Sequence, residues 1–292
     1  MISRIAVALD GSEVAEQALP YAEGLARAAG GSCLLIQAVP AETSGSGDPE
    51  LRRAAQAYLT AIAAQLRTRG VNAEVAVAAG EPTSAIVDEA ARRGADLLVL
   101  TTHGRSGLGR LVYGSVAQSV LERVVGPVLL VQAGEAPVAS FPPAEVGPIL
   151  VPVDGSPFGE AALPVAIDLA KALGTGLHLV EVVVPIELMV QTGAGPVPYI
   201  PADLIEAEDE AALSYLDKLV ARLRRQGLNA HRTERTDTAA AGILATADET
   251  KASVIAMSTH GRSGVSRAIL GSVALDVLHH GTRPVVFVRP QG

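Results

Sequence analysis

One stretch of this chain is written twice. Ile5-Ala6-Val7-Ala8-Leu9-Asp10-Gly11-Ser12 matches Ile149-Leu150-Val151-Pro152-Val153-Asp154-Gly155-Ser156 at an offset of 144. Thr102-His103-Gly104-Arg105-Ser106-Gly107 recurs letter for letter at Thr259-His260-Gly261-Arg262-Ser263-Gly264, at an offset of 157. A duplication of this size constrains the fold strongly, because each copy is long enough to build a core of its own. Val39 still matches Val183 at the first offset, whereas Gly70 matches Gly227 at the second. The 13 extra residues of the second copy therefore fall in the Pro- and Gly-rich stretch 185–201. Residues 134–147, rich in Pro, Ala and Gly, read as a linker. The expected domains are 1–133 and 148–292.

Within each copy, short apolar runs alternate with helical patterns. In the first, strands are expected at 4–9, 33–39, 73–78, 96–101 and 128–132, with helices at 13–29, 49–69, 83–93 and 114–125. In the second, strands are expected at 149–153, 177–184, 230–236, 253–258 and 285–289. The runs are continuous Val, Leu, Ile and Ala, as in strands buried on both faces. The fold class is thus α/β: two tandem doubly wound parallel five-stranded sheets, Rossmann-like in architecture. Ligands in such sheets bind beyond the carboxyl ends of the strands. Asp10 and Thr101 sit there in the first copy, and Asp154 and Ser258 in the second.

Composition narrows the function classes. The chain is 49% hydrophobic and 18% charged, which suits folded domains rather than disorder. Its net charge of -8 and the lack of a basic run argue against nucleic acid and anionic membrane surfaces. No apolar stretch reaches the ~18 residues that a membrane span needs. The start is too short in apolar residues for a secretory segment, so a cytoplasmic location is expected. Cys33 is the single cysteine and lies in an apolar run, where it reads as a core residue.

The repeated loop carries the functional signal. It leaves a strand at Thr101, passes Gly104, and reaches Gly114-Ser115-Val116 at a helix start. The second copy repeats this at Ser258, Gly261, Gly271, Ser272 and Val273. Glycine lets a backbone approach a ligand closely, and the first N–H groups of a helix have no partner within it. Such a helix start favours phosphate. Ordinary strand-end and helix-start punctuation would use the same letters. This is neither a P-loop, which needs Gly-Lys-Ser/Thr, nor the Rossmann glycine fingerprint, since it follows the fourth strand. Asp10 and Asp154 could accept hydrogen bonds from a ribose or an adenine amino group, or hold Mg²⁺ through water. They could equally form an Asx turn ahead of Gly-Ser. Arg105, Arg110, Arg262 and Arg267 suit phosphate or plain solvated surface. His103 and His260 have no carboxylate at fixed spacing to orient them, which favours a positioning role over a general base. No histidine spacing supports a metal site.

These residues resemble the universal stress protein family. Its nucleotide-binding members carry Gly-x-x-Gly, nine residues, then Gly-Ser/Thr. Here Gly104 with Gly114-Ser115, and Gly261 with Gly271-Ser272, match the last three fixed positions, while Thr101 and Ser258 replace the first glycine. The resemblance covers nearly the whole chain, as two tandem domains. It implies ATP, with Mg²⁺ as companion ion, lying across the strand ends. By resemblance, Asp10 and Asp154 take the acidic position near adenine and ribose. Ala38 and Val182 take the position whose backbone reads adenine. Gly104, Gly114, Ser115 and Val116 form the phosphate cradle, with Gly261, Gly271, Ser272 and Val273 in the second half. The hydroxyls of Thr101 and Ser258 would either crowd the phosphates or donate to them. The implied function is a nucleotide-dependent sensor or regulator of a stress response, acting on an unknown protein partner. A nucleotide-free scaffold and a slow ATP hydrolase are the competing readings. A homodimer is also compatible, with the two domains of one chain paired through the final strands 128–131 and 285–288.

Overall fold

The computed structural model describes residues 1–41, 48–102, 114–134, 139–184, 202–259 and 270–290, with the backbone alone for 202–212. They form two compact units. The first contains 1–145 together with the returning segment 283–289, and the second contains the remaining described residues from 146 to 282.

The first unit opens with β1 (Arg4–Leu9), whose last five residues are all buried. Then follow α1 (Glu13–Glu16), α2 (Leu19–Ala28), β2 (Ser32–Val39) and α3 (Pro49–Thr68). Next come β3 (Asn72–Ala79), α4 (Pro82–Arg92), β4 (Leu97–Thr101), α5 (Ser115–Arg123) and β5 (Val128–Val131). The strand order is β3-β2-β1-β4-β5. The pairing is parallel throughout, with Ile5 beside Cys33 on one side and beside Leu97 on the other. The winding reverses between β1 and β4, the place beyond whose carboxyl ends doubly wound sheets form their ligand crevice.

The single helix expected at 13–29 is two helices. Pro20 has no N–H, and its ring would clash with the carbonyl of Glu16 in a continuous helix. The chain turns at Gln17 and Ala18, and Pro20 then sits in the first turn of α2, where it is tolerated. Ser12 caps α1, its hydroxyl accepting from Ala15 N–H at 3.1 Å.

In the second unit, β6 (Ile149–Pro152) leads to a 3-10 turn (Gly159–Ala162) and α6 (Leu163–Leu173). Pro164 enforces the same break as Pro20. β7 (Leu177–Val183), α7 (Ala202–Arg225), β8 (Ala230–Thr236), α8 (Ala239–Glu249), β9 (Val254–Ser258) and α9 (Ser272–His280) complete it. Its parallel strands run in the order β9-β6-β7-β8.

The last strand, β10 (Val285–Val288), belongs to the first unit. It pairs antiparallel with β5, Val286 opposite Leu129. Every residue of β5 is buried. Without β10 it would be an apolar edge with open backbone groups. Arg289 donates to the Glu122 carbonyl at 2.7 Å, in the last turn of α5, where a cation is favoured.

The stretch read as a linker is docked in part. Gln17 and Gly134 exchange hydrogen bonds of 3.1 and 3.0 Å. Phe141 is only 6% exposed, and its ring lies 4.9 Å from that of Tyr21. Gly24 makes this possible, since a Cβ there would stand 1.7 Å from the Phe141 carbonyl oxygen. One of only three phenylalanines in the chain was the available signal.

Candidate nucleotide cleft in each half

The crevice begins at the Asp-Gly-Ser turn. Gly11 has φ of 85° and Gly155 of 75°, a region that L side chains rarely enter. That turn folds Asp10 back on Ser12, whose N–H and hydroxyl donate to Asp10 Oδ1 at 3.0 and 2.6 Å. Asp154 makes the same pair with Ser156, also at 3.0 and 2.6 Å. The Asx-turn reading is therefore observed in both halves. In the second, Gly159 N–H donates to Ser156 Oγ, and a Cβ on Gly159 would come within 2.3 Å of Asp154 Oδ1. Ala15 occupies this place in the first half.

The repeated loop is closed at its neck. Gly114 N–H donates to the Thr102 carbonyl at 2.8 Å, and Gly271 N–H to the Thr259 carbonyl at 2.9 Å. The start of α5 is thereby held at the end of β4, and the start of α9 at the end of β9. Gly114 and Gly271 are the N-cap residues and give their helices no side-chain cap. Their φ values of -57° and -58° are ordinary, so glycine is not needed for backbone conformation. At Gly271 a Cβ would lie 3.3 Å from the Thr259 carbonyl oxygen, so the lack of a side chain lets this neck close tightly. Ser115 and Ser272 are exposed at the helix starts, with Val116 and Val273 half-buried behind them. Thr101 and Ser258 are buried, at 6% and 7% exposure. The β1–β4 register, Val7 beside Val99, carried two residues on, sets Leu9 beside Thr101.

Ala38 and Val182 occupy the ends of β2 and β7, in register with Ala78 and Arg235. Asp10, Ala38, Thr101, Gly114, Ser115 and Val116 thus all lie at the carboxyl end of the first sheet. Asp154, Val182, Ser258, Gly271, Ser272 and Val273 do so in the second. Gly104 and Gly261 lie outside the described residues. So do His103 and His260, the four loop arginines, and the insertion 185–201.

Sequence reading missed a set of groups beneath each cleft. Tyr58 on α3 donates to Glu16 at 3.0 Å, and Tyr215 on α7 donates to Glu160, also at 3.0 Å. Both tyrosines and both glutamates correspond under the two offsets, so aligning the halves would have exposed the pattern. Burial pushes the Tyr215 hydroxyl well above its ordinary pKa, with Glu160, Glu181 and Asp154 adding to the shift.

Cys33 and the described histidines find ordinary places. Cys33 is buried, and that burial, with the Glu23 charge, pushes its thiol up to about 12. His178 and His231 sit in register on β7 and β8, with ring centroids 6.4 Å apart. His178 bonds Thr233 at 2.8 Å, and burial followed by the nearby His231 lowers its pKa. His279 and His280 are in the last turn of α9, where the dipole favours them. Among the described residues no group of three or more His, Cys, Asp or Glu is arranged to hold a metal ion, and no helix is long and apolar enough to cross a membrane.

With this geometry in place, comparison with known proteins decides the family. The sequence profile of the Universal stress protein family matches residues 1–132 and again 145–289. The chain belongs to that family. Universal stress protein Rv2005c of Mycobacterium tuberculosis is 30% identical over 196 residues, which span 67% of this chain and 62% of the relative's own length. A universal stress protein of Mycolicibacterium smegmatis is 28% identical over 225 residues, 77% of this chain and 71% of the relative. A crystal structure of a universal stress protein from Archaeoglobus fulgidus superposes with a TM-score of 0.73 at 21% identity, covering 98% of both chains. PA1789 of Pseudomonas aeruginosa, described as functionally unknown, gives 0.68 at 20% identity, over 99% of this chain and 93% of its own. At such identities these two structures speak for the fold.

Proposed function

We propose that this universal stress protein binds an adenine nucleotide, ATP, in each half and acts as a nucleotide-dependent sensor or regulator in a stress response. The domains 1–133 and 148–292 would each hold one nucleotide. The observation that carries the reading is the neck. Each half anchors an uncapped helix start, at Gly114 or Gly271, to the end of the strand beside Asp10 or Asp154. Unpaired N–H groups, an exposed serine hydroxyl and the helix dipole converge there, and together they suit a phosphate chain. The base and ribose would lie over Asp10 and Ala38, or Asp154 and Val182. Gly104 and Gly261 would complete the cradle, with Thr101 and Ser258 lining its floor. Mg²⁺ would accompany the triphosphate. Nucleotide binding would select one conformation of the loops and so signal to a protein partner.

The test is direct. The purified chain is denatured and the released small molecules are identified by mass, for wild type and for Gly114→Val plus Gly271→Val. The φ at both positions is ordinary, but a Cβ on Gly271 would lie 3.3 Å from the Thr259 carbonyl oxygen, so circular dichroism must show the variant folded before its nucleotide content is read. Adenine nucleotide from wild type and none from the variant supports the reading. An empty wild type that also fails to take up added ATP refutes it.

A further inference from the structure

The two halves leave their outer sheet edges in different states. β3 and β8 are the corresponding edge strands. In both, the first outward carbonyl is sealed by an arginine: Arg67 donates to Ala73, and Arg224 donates to Ala230 at 2.9 Å. Beyond that point the edges diverge. On β8, Arg232 bonds Asp217 of α7 at 2.6 and 3.0 Å, and Arg235 bonds Glu249 of α8 at 2.9 and 2.7 Å. Strand residues three apart point to opposite faces, so these bridges tie the edge to the helix on each side of it. The matching pairs of the first half are Val75 with Thr60 and Ala78 with Arg92. Neither can form such a bridge, and a groove of about 550 Å³ runs along that edge. Its floor is 75–79 of β3, and its walls include Arg52 and Gln56 of α3 and Ser84 and Asp88 of α4.

Alternate residues of a strand aim their backbone groups to opposite sides. Gly80 N–H donates inward to the Val39 carbonyl at 2.9 Å, whereas the Ala73 carbonyl faces outward to Arg67. Val75, Val77 and Ala79 therefore also face outward, and no strand lies beside them. An edge of 8 residues without lysine or proline is a template for a further strand. We propose that β3 is a docking edge for an extended segment of a partner protein, which adds as a strand within the groove. Charge sets the chemistry of that segment. Arg52 and Asp88 are exposed and make no ion pair among the described residues. Arg92 and Arg93 are instead paired with Glu89, and Glu81 is engaged at the start of α4. An added strand points successive side chains at the two walls in turn. The complementary segment carries an acidic residue toward α3 and, next to it, a basic residue toward α4. Main-chain hydrogen bonds supply the affinity, and the two charges select the segment.

Fluorescence anisotropy tests this with the full chain and a labelled, end-capped octapeptide, Ser-Thr-Val-Glu-Lys-Val-Thr-Ser. Amide hydrogen exchange over residues 72–80 locates the binding. Val75→Arg plus Thr60→Asp installs a bridge that the second half already accommodates. Val77→Pro removes one outward donor and spares the β2 ladder, a placement that edge strands tolerate. Circular dichroism checks that each variant is folded. Wild type should bind saturably, with slowed exchange over 72–80. Val77→Pro should weaken binding about five- to tenfold, the effect of one lost hydrogen bond, and the bridged variant should weaken it at least as much. Changing the peptide's Glu to Lys should weaken binding to wild type, and Arg52→Glu should remove that preference. No saturable binding at millimolar peptide overturns the proposal, as does binding that the folded variants leave unchanged. A wild-type dimer in sedimentation that the bridged variant dissociates also overturns it, because a second copy would then occupy the edge.

Discussion

The two halves share a plan but solve the same contacts with different residues, most visibly where the second strand meets the helix after the third. In the first half the corresponding residues are Ala38 on β2 and Ala85 on α4, two elements that pack on each other. In the second half the matching residues are Val182 on β7 and Gly242 on α8. A Cβ on Gly242 would lie 2.8 Å from Val182 Cγ1 and 2.9 Å from its Cγ2. The larger strand residue thus requires the smaller helix residue, and contact volume is conserved while the letters are not. Matching motifs locate a cleft, therefore, but the wall of each cleft must be read separately.

A second contrast lies in how the linker is used. Its Phe141 is packed on Tyr21 and over Gly24, and the position matching Gly24 in the second half is Asp168. The largest expected effect tests this asymmetry. Phe141→Ala should lower stability by about 3–5 kcal/mol, the range for deleting a buried phenylalanine. Chemical denaturation should show that loss, and Gly24→Val, which leaves Phe141 intact but collides with its carbonyl, should reproduce it. A loss under 1 kcal/mol for both would mean that the linker does not contribute to the first unit's core.

The volume exchange gives the next effect. Gly242→Ala alone should destabilise by about 1–3 kcal/mol through overpacking against Val182. Adding Val182→Ala recreates the Ala38–Ala85 pair and should recover most of it. A double-mutant cycle reads the coupling directly, and additive losses would contradict the contact.

The smallest effect concerns helix capping. Glu81 caps α4 by accepting from Thr83 and Ser84 N–H at 3.0 and 2.9 Å. The Ser84 N–H first, then that of Thr83, hold its carboxyl down at about 2. A folded value below the ordinary carboxylate range means that the cap stabilises above that range. Its contribution is lost as pH falls from about 4.5 towards 2. Glu81→Gln should flatten that part of the acid unfolding profile. The matching Thr238 on α8 makes no side-chain cap bond. Thr238→Asp should therefore add about 0.5–1 kcal/mol, seen as a higher denaturation midpoint.

Much of this architecture was legible in the letters. Parallel strands announced themselves as Val- and Leu-rich runs, and β1 matches its expected bounds. The neck of the loop was legible too, since Gly-Ser before an apolar helical pattern marks a helix start. Other features were hidden for physical reasons. The break after Glu16 turns on one proline ring meeting one carbonyl, which competes with strong helical periodicity on either side. Phe141 sits in a stretch whose composition reads as loop, and only a tertiary partner gives it a place. Local pattern cannot rank strand partners more than 150 residues apart, and the observed pairing of β5 with β10 was expected only through the family resemblance, which paired the final strands 128–131 and 285–288. The Tyr215–Glu160 contact links separate elements in the same way.

The central claim is that the paired necks hold an adenine nucleotide. Thermal unfolding of the full chain with and without excess ATP and Mg²⁺ measures it most directly. Binding to the native state should raise stability by about 2.7 kcal/mol at a hundredfold excess over Kd, and Gly114→Val plus Gly271→Val should abolish the rise. An unfolding curve that ATP leaves unmoved at millimolar concentration would contradict the claim.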